Sequence, residues 1–264
     1  GSISAPPGVR LACQIRPQGR LFVTRLLNAA TTGPEAIEVD EADSAGVEKR
    51  LVVMFVDLRA FTRLSEKRLP FDVVYILNEF FGVVGTTIST HGGWIDKFLG
   101  DGLLAVFGQH DGFQTGCRKA LRAARAIDYA LDSVNEKLES ELGRPLEVGI
   151  GISGGALLLG RIGYGEAVDF TVIGSPVNVA SRLEALAKEK GFQVMVTRDV
   201  AREAGWEPST EFTMTVDVRG VAEPVEVIGI PRGRDMTGNF LALADEEKPT
   251  HKPRSWTQSL WRGA

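Results

Sequence analysis

Two aspartates stand where carboxylates could meet at one edge of a sheet. Asp57 follows residues 51–56, an apolar run typical of a buried strand, and Asp101 lies within a Gly-Asp-Gly turn. If the flanking strands pair, the two carboxylates offer the hard oxygen ligands that Mg²⁺ prefers. Taken alone, each aspartate equally fits a strand cap or a turn former. The pair is therefore a candidate metal site whose meaning depends on the residues around it.

Asn178 and Arg182 lie four residues apart in a segment of helical periodicity, so they share one face of that helix. Val179, Leu183 and Leu186 fall on a different side and are predicted to face the core. This separation fits a polar stripe that faces a binding site. A solvated helix face is the alternative.

Lys97 is predicted to lie on a strand, residues 94–99, on the same face as Ile95 and Leu99. Its ammonium would then project from an otherwise apolar face. A charge there interrupts the burial of apolar surface, so a role beyond contact with solvent is favoured. A lysine that snorkels to the surface is the alternative. This strand and the next one, residues 103–107, are predicted to form a tight hairpin around the Gly-Asp-Gly turn.

From residue 50 onward the apolar pattern alternates between strand and helix periodicity. Helices are predicted at residues 70–90, 114–142 and 175–190, with a short one from residue 199, and strands at residues 51–56, 94–99, 103–107, 146–161, 169–173, 193–197, 213–218 and 225–230. Helices packed on a sheet bury such faces. The expected fold class is therefore an α/β (α+β) sandwich.

The composition limits the classes of function. With 264 residues, 44% of them hydrophobic and 24% charged, the chain can bury one substantial core with appended segments. The net charge of -4 and the absence of a long Lys/Arg block argue against nucleic acid as a partner. No stretch approaches the roughly 18 apolar residues of a membrane span, so no direct membrane insertion is expected. Two cysteines, Cys13 and Cys117, provide no disulfide framework and favour the cytoplasm.

Three motifs carry the candidate residues: FVDLRAFT at 55–62, DKFLGDG at 96–102 and NVASR at 178–182. Together with two glycine-rich segments, 151–155 and 160–163, they resemble class III adenylyl cyclases in the expected order, over roughly residues 50–230. The resemblance implies a ferredoxin-like nucleotidyl cyclase sandwich with a central, mostly antiparallel sheet. It also implies conversion of ATP to 3′,5′-cyclic AMP and pyrophosphate.

The resemblance gives the polar residues roles in that reaction. Asp57 and Asp101 are implied as the metal-binding aspartates, assisted by the carbonyl of Leu58. Two Mg²⁺ ions per site are expected, for which Mn²⁺ can substitute, to lower the pKa of the ribose 3′-hydroxyl and to neutralise the leaving pyrophosphate. Asn178 is implied to orient the ribose, and Arg182 to stabilise the five-coordinate phosphorus of the transition state.

Lys97 and Thr171 occupy the two positions that read the base in this family, and the Lys/Thr pair resembles an adenylyl-specific subgroup. Guanylyl cyclases typically place Glu and Cys there, so ATP is expected over GTP. Phe61 and Thr62 are implied to bind the substrate. Arg219 matches a triphosphate-binding cation of relatives, although an exposed turn arginine fits equally well.

Sites in this family are shared between two chains, and all six core positions are present in this one. A homodimer is therefore expected rather than an obligate heterodimer. Two alternatives stay open. One is a guanylyl cyclase, and the other is a weakly active module that binds nucleotide and regulates a partner.

The first thirty residues are expected to be a remnant of an upstream module. Residues 7–27 resemble the end of a plant-type [2Fe-2S] ferredoxin domain, in which Cys13 would be the fourth cluster ligand; no cluster is expected here, since the other three are missing. Residues 31–49 are expected to be a linker, residues 50–232 the catalytic domain and residues 233–264 a disordered tail. A longer parent with an upstream sensor, anchored at the inner face of the cell membrane, is consistent with this layout.

Overall fold

The computed structural model describes residues 46–66, 68–164, 167–208, 212–218, 221 and 223–241. The ferredoxin-like segment, most of the linker, Arg219 and the tail beyond residue 241 therefore lie outside the described residues. The predictions made for them stay predictions.

The described chain alternates strands and helices around one sheet. The strands are β1 (Val47–Leu58), β2 (Trp94–Leu99), β3 (Gly102–Phe107), β4 (Val148–Tyr164), β5 (Ala167–Ile173), β6 (Val194–Thr197), β7 (Thr213–Val216) and β8 (Val225–Ile230). The helices are α1 (Phe61–Ser65), α2 (Pro70–Thr90), α3 (Phe113–Lys137), α4 (Glu139–Leu142), α5 (Ser175–Lys190) and α6 (Arg198–Glu203), followed by 3₁₀ turns at Gly233–Asp235 and Asn239–Leu241.

The sheet order is β2-β3-β1-β4-β6-β8-β7, with β5 paired to the distal half of β4. Among the described pairs, β4 and β6 run parallel and the others antiparallel. Helices α2, α3 and α6 bury their apolar faces on one side of the sheet, and α5 packs on the other. The predicted sandwich with a mostly antiparallel sheet is confirmed.

Helix α5 lies unusually close to the centre of the sheet. Gly151 of β4 faces the carbonyl of Ala180, and no Cβ atom would fit between them. The helix begins at Ser175, directly after its N-cap Gly174. This contact fixes the distance of α5 from β1 and β4. It thereby also fixes the position of the polar side chains on α5.

The sequence prediction was wrong at both ends of the domain. The linker was expected to reach residue 49, but β1 begins at Val47, because its first residues pair with the stretch from Ala156 to Leu159 in β4. The tail was expected to be disordered from residue 233, but Met236 and Phe240 are buried. The ring of Phe240 packs against that of Trp206, with 5.4 Å between the centroids, so the apolar side chains hold this segment on the core.

Two helix predictions need revision. The long helix expected to end at residue 142 breaks at Leu138, and α4 follows as a separate turn. α2 is long and apolar enough, by length and composition alone, to span a membrane, contrary to the expectation that no segment approaches this limit. In the fold, Ile76, Phe80 and Val84 of α2 are completely buried in the core.

Candidate active site

Asp57 and Asp101 are brought together by the pairing of β1 with β3. Asp57 is the register partner of Gly102, and Asp101 precedes that glycine in the two-residue loop of the β2–β3 hairpin. The N–H of Leu58 donates to the carbonyl of Asp101 at 3.4 Å. Burial, together with the negative charge of Asp101, raises the pKa of Asp57 to about 6 against the opposing charge of Lys188.

This pair of carboxylates fits a divalent cation. Two acidic side chains that repel each other at the end of adjacent strands are stabilised by a positive charge between them, and both supply hard oxygen ligands. Within the described ranges no group of three or more His, Cys, Asp or Glu side chains could hold a metal. The remaining ligands would therefore come from the main chain, such as the Leu58 carbonyl, or from substrate and water.

Glu184 is a third acidic side chain near this pair, and the sequence analysis missed it. It lies on α5 against Gly149, the β4 partner of Asp57. Burial, together with the negative charge of Asp57, raises its pKa to about 7, against the opposing charges of Lys188 and Arg59. Its spacing from Ala180, one helical turn earlier, was the available signal, since that spacing places both residues on the face toward the sheet.

Arg59 connects the segment after Asp57 to the beginning of β4 and to the loop that precedes β6. Its Nε donates to the carbonyl of Val148 at 3.1 Å, its guanidinium also reaches the carbonyl of Phe192, and its N–H donates to the carbonyl of Glu147 at 2.8 Å. These bonds hold the end of β1 against β4. They restrict where the carboxylate of Asp57 and the carbonyl of Leu58 can lie.

Lys97 shares a face of β2 with Leu99, as predicted, but it does not share that face with Ile95. A β-bulge between Ile95 and Lys97 inserts Asp96, so Ile95 pairs with Ala105 whereas Lys97 pairs with the adjacent residue, Leu104. Since neighbouring residues of β3 point to opposite faces, Ile95 and Lys97 do too, and the predicted shared face is wrong. The extra residue could not be read from the alternation of β2 alone.

Thr171 and Lys97 are brought together by Asp96. Thr171 Oγ1 donates to Asp96 Oδ2 at 2.8 Å, and Lys97 Nζ lies 3.3 Å from the same oxygen. The Asp96 side chain is fully buried, whereas 38% of the Lys97 side chain is exposed. Burial raises the pKa of Asp96, and the hydrogen bond from Thr171 and the charge of Lys97 act against it.

Asn178 and Arg182 are exposed on α5, while Val179 and Leu183 are buried, as the helical spacing predicts. Leu186 is partly buried and packs on the same cluster. Within the described part of the chain, no hydrogen bond or ion pair joins Asn178 or Arg182 to the two aspartates.

The other predicted substrate-binding residues have mixed outcomes. Phe61 and Thr62 begin α1, four and five residues after Asp57, with Phe61 packed on the core and Thr62 exposed. Arg219 falls outside the described residues, so the structure does not locate the expected triphosphate ligand.

A model of the adenylate and guanylate cyclase catalytic domain matches residues 45–231, which is more than half of the chain. The chain belongs to this family. An adenylate cyclase of Anabaena cylindrica is 34% identical to this cyclase domain over 201 residues, which are 74% of the chain and 39% of the relative. An uncharacterized protein of Mycobacterium tuberculosis is also 34% identical, over 75% of the chain and 36% of its own length.

Solved cyclase structures share the fold. The guanylyl cyclase Cya2 is 33% identical with a TM-score of 0.63, covering 70% of this chain and 93% of its own. The adenylyl cyclase CyaB from P. aeruginosa is 25% identical with a TM-score of 0.62, covering 73% and 98%. The cyclase domain therefore resembles enzymes of both nucleotide preferences, and it spans less than half the length of the curated relatives described above.

Proposed function

We propose that this cyclase domain is an adenylyl cyclase that converts ATP to 3′,5′-cyclic AMP and pyrophosphate as a Mg²⁺-dependent homodimer. The observation that carries the base preference is the meeting of Lys97 and Thr171 at Asp96. An ammonium donor beside a hydroxyl fits adenine, which presents the N1 acceptor next to the N6 amino donor. Guanine presents the opposite order, with O6 as an acceptor and N1–H as a donor.

The reaction forms a bond between the ribose O3′ and the α-phosphorus and breaks the bond from that phosphorus to the β-phosphate oxygen. Asp57 and Asp101, with the Leu58 carbonyl, would hold two Mg²⁺ ions per site. When bound, the ions supply charge neutralisation and lower the pKa of the 3′-hydroxyl, and Mn²⁺ can take their place. Arg182 offsets the negative charge that develops on the phosphate oxygens, and Asn178 orients the ribose.

The shared site is supported by what the single chain leaves exposed. Asn178 and Arg182 are exposed, and in the described part of the chain no hydrogen bond or ion pair joins them to the aspartates that they must complement. Large apolar side chains on α2 and its N-cap, on β2 and on the β4–β5 pair are also exposed, which is typical of an interaction surface: Leu69, Phe71, Val74, Tyr75, Phe98, Leu99, Leu158, Ile162 and Ile173. A second copy of the chain would cover such a surface and bring Arg182 to the partner's carboxylates.

The domain would act as the output part of a longer signalling protein. It covers 36% to 39% of the length of the curated relatives described above, so an upstream sensor is part of the proposal. A ferredoxin-like or membrane-anchored module would fit that place, with the cyclase domain in the cytoplasm at the inner face of the membrane. Phe61, Thr62 and Arg219 are proposed to contact the triphosphate of the bound ATP.

The test is complementation between two inactive variants. Asp57→Asn and Arg182→Ala should each abolish cyclic AMP formation from ATP and Mg²⁺. Mixed in equal amounts, they should regain about a quarter of the wild-type activity, because half of the dimers then carry one intact shared site. Mixing Asp57→Asn with Asp101→Asn is the matched control, and it should regain nothing since both changes affect the same half of the site.

Other outcomes would point elsewhere. Cyclic GMP formed in preference to cyclic AMP would support a guanylyl cyclase. Nucleotide binding without any product, with either Mg²⁺ or Mn²⁺, would support a regulatory nucleotide-binding module. Activity in both single variants would contradict the assignment of the site residues.

A further inference from the structure

Asp96 is a buried carboxylate that the proposed reaction does not use. It is the extra residue of the β2 bulge, and none of its side-chain surface reaches solvent. Bulges redirect a side chain out of the regular alternation of a strand. Here the bulge directs Asp96 toward Thr171 of β5, and Lys97 lies beside the same carboxylate oxygen.

The direction of the hydrogen bond between these residues has a consequence for Thr171. A threonine hydroxyl has one proton to donate and two lone pairs that accept. An ionised carboxylate only accepts, so the proton of Thr171 Oγ1 is committed to Asp96. A ligand that reaches Thr171 therefore meets lone pairs and can only donate to them.

Because Asp96 is fully buried, it acts through Thr171 and Lys97 rather than by touching a ligand. We infer that Asp96 is a positioning residue that sets the nucleotide preference, by fixing Thr171 as an acceptor beside the Lys97 donor. This inference rests on the proposed base-reading role of these two residues. The adenine amino group satisfies the arrangement, whereas the O6 acceptor of guanine would face lone pairs.

A packing role alone does not account for this carboxylate. Its Oδ1 has no hydrogen-bond partner among the described residues, and the indole Nε1 of nearby Trp94 is likewise buried without one. Trp94 packs on Phe170, with ring centroids 6.2 Å apart, so aromatic residues neighbour the polar contacts that Asp96 makes with Thr171 and Lys97. A buried charge in such surroundings is costly, and a neutral residue would fill the space at lower free energy.

The experiment measures kcat/KM for ATP and for GTP in wild type, Asp96→Asn, Asp96→Ser and Thr171→Val. An amide or a hydroxyl at position 96 can donate to Thr171 Oγ1, which frees the threonine proton for guanine O6. The ATP-to-GTP ratio of kcat/KM is expected to fall about tenfold in Asp96→Asn and in Asp96→Ser. Asp199→Asn, an exposed aspartate on α6, is the control and should keep the wild-type ratio.

A double variant separates positioning from general damage. In the Thr171→Val background there is no hydroxyl to orient, so adding Asp96→Asn should leave the ratio unchanged. A ratio unchanged in both Asp96→Asn and Asp96→Ser, with folding intact by circular dichroism, would overturn the inference. So would a further fall of the ratio in the double variant, or a wild type that does not prefer ATP.

Binding keeps the inference testable if the wild type forms no cyclic nucleotide. The readout is then displacement of a fluorescent ATP analogue by ATP and by GTP, compared between wild type and Asp96→Asn. A loss of discrimination in the variant would support the role of Asp96 even though the proposed activity had failed. If wild type and Asp96→Asn discriminate equally between ATP and GTP, the role of Asp96 is overturned. The proposed function is then judged separately, by the complementation experiment.

Discussion

A Cβ atom on Gly102 would lie 2.6 Å from Asp57 Oδ1 and 2.8 Å from the carbonyl of Val56. At this point β1 and β3 approach each other so closely that only glycine fits at position 102. Gly102→Ala should displace the Asp57 carboxylate and lower kcat by as much as about 100-fold, since small misplacements of reacting groups have effects of that size. Steady-state kinetics with ATP and Mg²⁺ measure it.

Gly82→Ala is the matched control for that change. Gly82 lies in α2, and a Cβ atom there would have no neighbour within 4 Å. Activity should be unchanged, and unfolding should require about 1 kcal/mol more free energy because alanine is the better helix former. Equal activity in the two alanine variants would show that Asp57 tolerates the crowding.

Asp57→Asn should separate activity from stability. We expect kcat to fall about a hundredfold or more, the scale on which loss of one charge-stabilising group acts. In metal-free protein at pH 7 the same change should raise the free energy of unfolding by about 1 kcal/mol, because it removes the cost of burying the carboxylate and the repulsion from Asp101. Chemical denaturation in EDTA measures the second effect, and a destabilised variant would contradict the carboxylate pairing.

Asp128 should make the free energy of unfolding depend on pH in the acidic range. Burial alone would raise its pKa, but hydrogen bonds from Arg232, Arg234 and Gln193 hold the pKa well below its usual range. The stabilisation is therefore complete above the unfolded-state pKa of about 3.9 and is lost as the pH falls below it. Asp128→Asn should lower the free energy of unfolding by about 3 kcal/mol at pH 7, and by less at pH 3.

Urea unfolding at the two pH values measures this difference. Asp132→Asn is the control, since Asp132 is 61% exposed and pairs with Arg234 at the surface. Its effect should stay below about 1 kcal/mol. An equal loss in Asp128→Asn at both pH values would contradict the pKa argument.

Ile173→Lys should weaken the proposed dimer without unfolding the chain. Ile173 is 49% exposed and pairs across the strands with Leu158, which is 41% exposed. A lysine there would place a charge in the apolar contact, so specific activity should fall steeply on dilution. Analytical ultracentrifugation measures the dissociation, and Ser133→Lys on the exposed side of α3 should leave it unchanged.

Much of the fold follows from local rules that operate within one element. α2 could be predicted because its apolar residues repeat at helical spacing on one face, and the β2–β3 hairpin because Gly100 and Asp101 interrupt two apolar runs. Asn178 and Arg182 could be placed on one exposed face for the same reason. Each of these features depends on residues close in sequence.

The rest depends on contacts between distant segments. The bulge at Asp96 arises from pairing with β3, and no residue type marks it, so Lys97 was wrongly predicted to share a face with Ile95. Asp96 and Glu184 look like ordinary surface carboxylates in sequence, and only packing against β5 and β4 buries them. Phe240 likewise closes on Trp206, 34 positions earlier, which no periodicity reveals.

Strand β1 is paired along both edges, to β4 from Val47 to Leu58 and to β3 from Val52 to Asp57. Sliding by one residue would turn every side chain to the other face and would expose a row of buried ones. A force applied at Gly46 therefore cannot shift Asp57 along its neighbours. Any mechanical input at this point would move the paired strands together, and in the proposed dimer it would change the angle at which the two subunits meet.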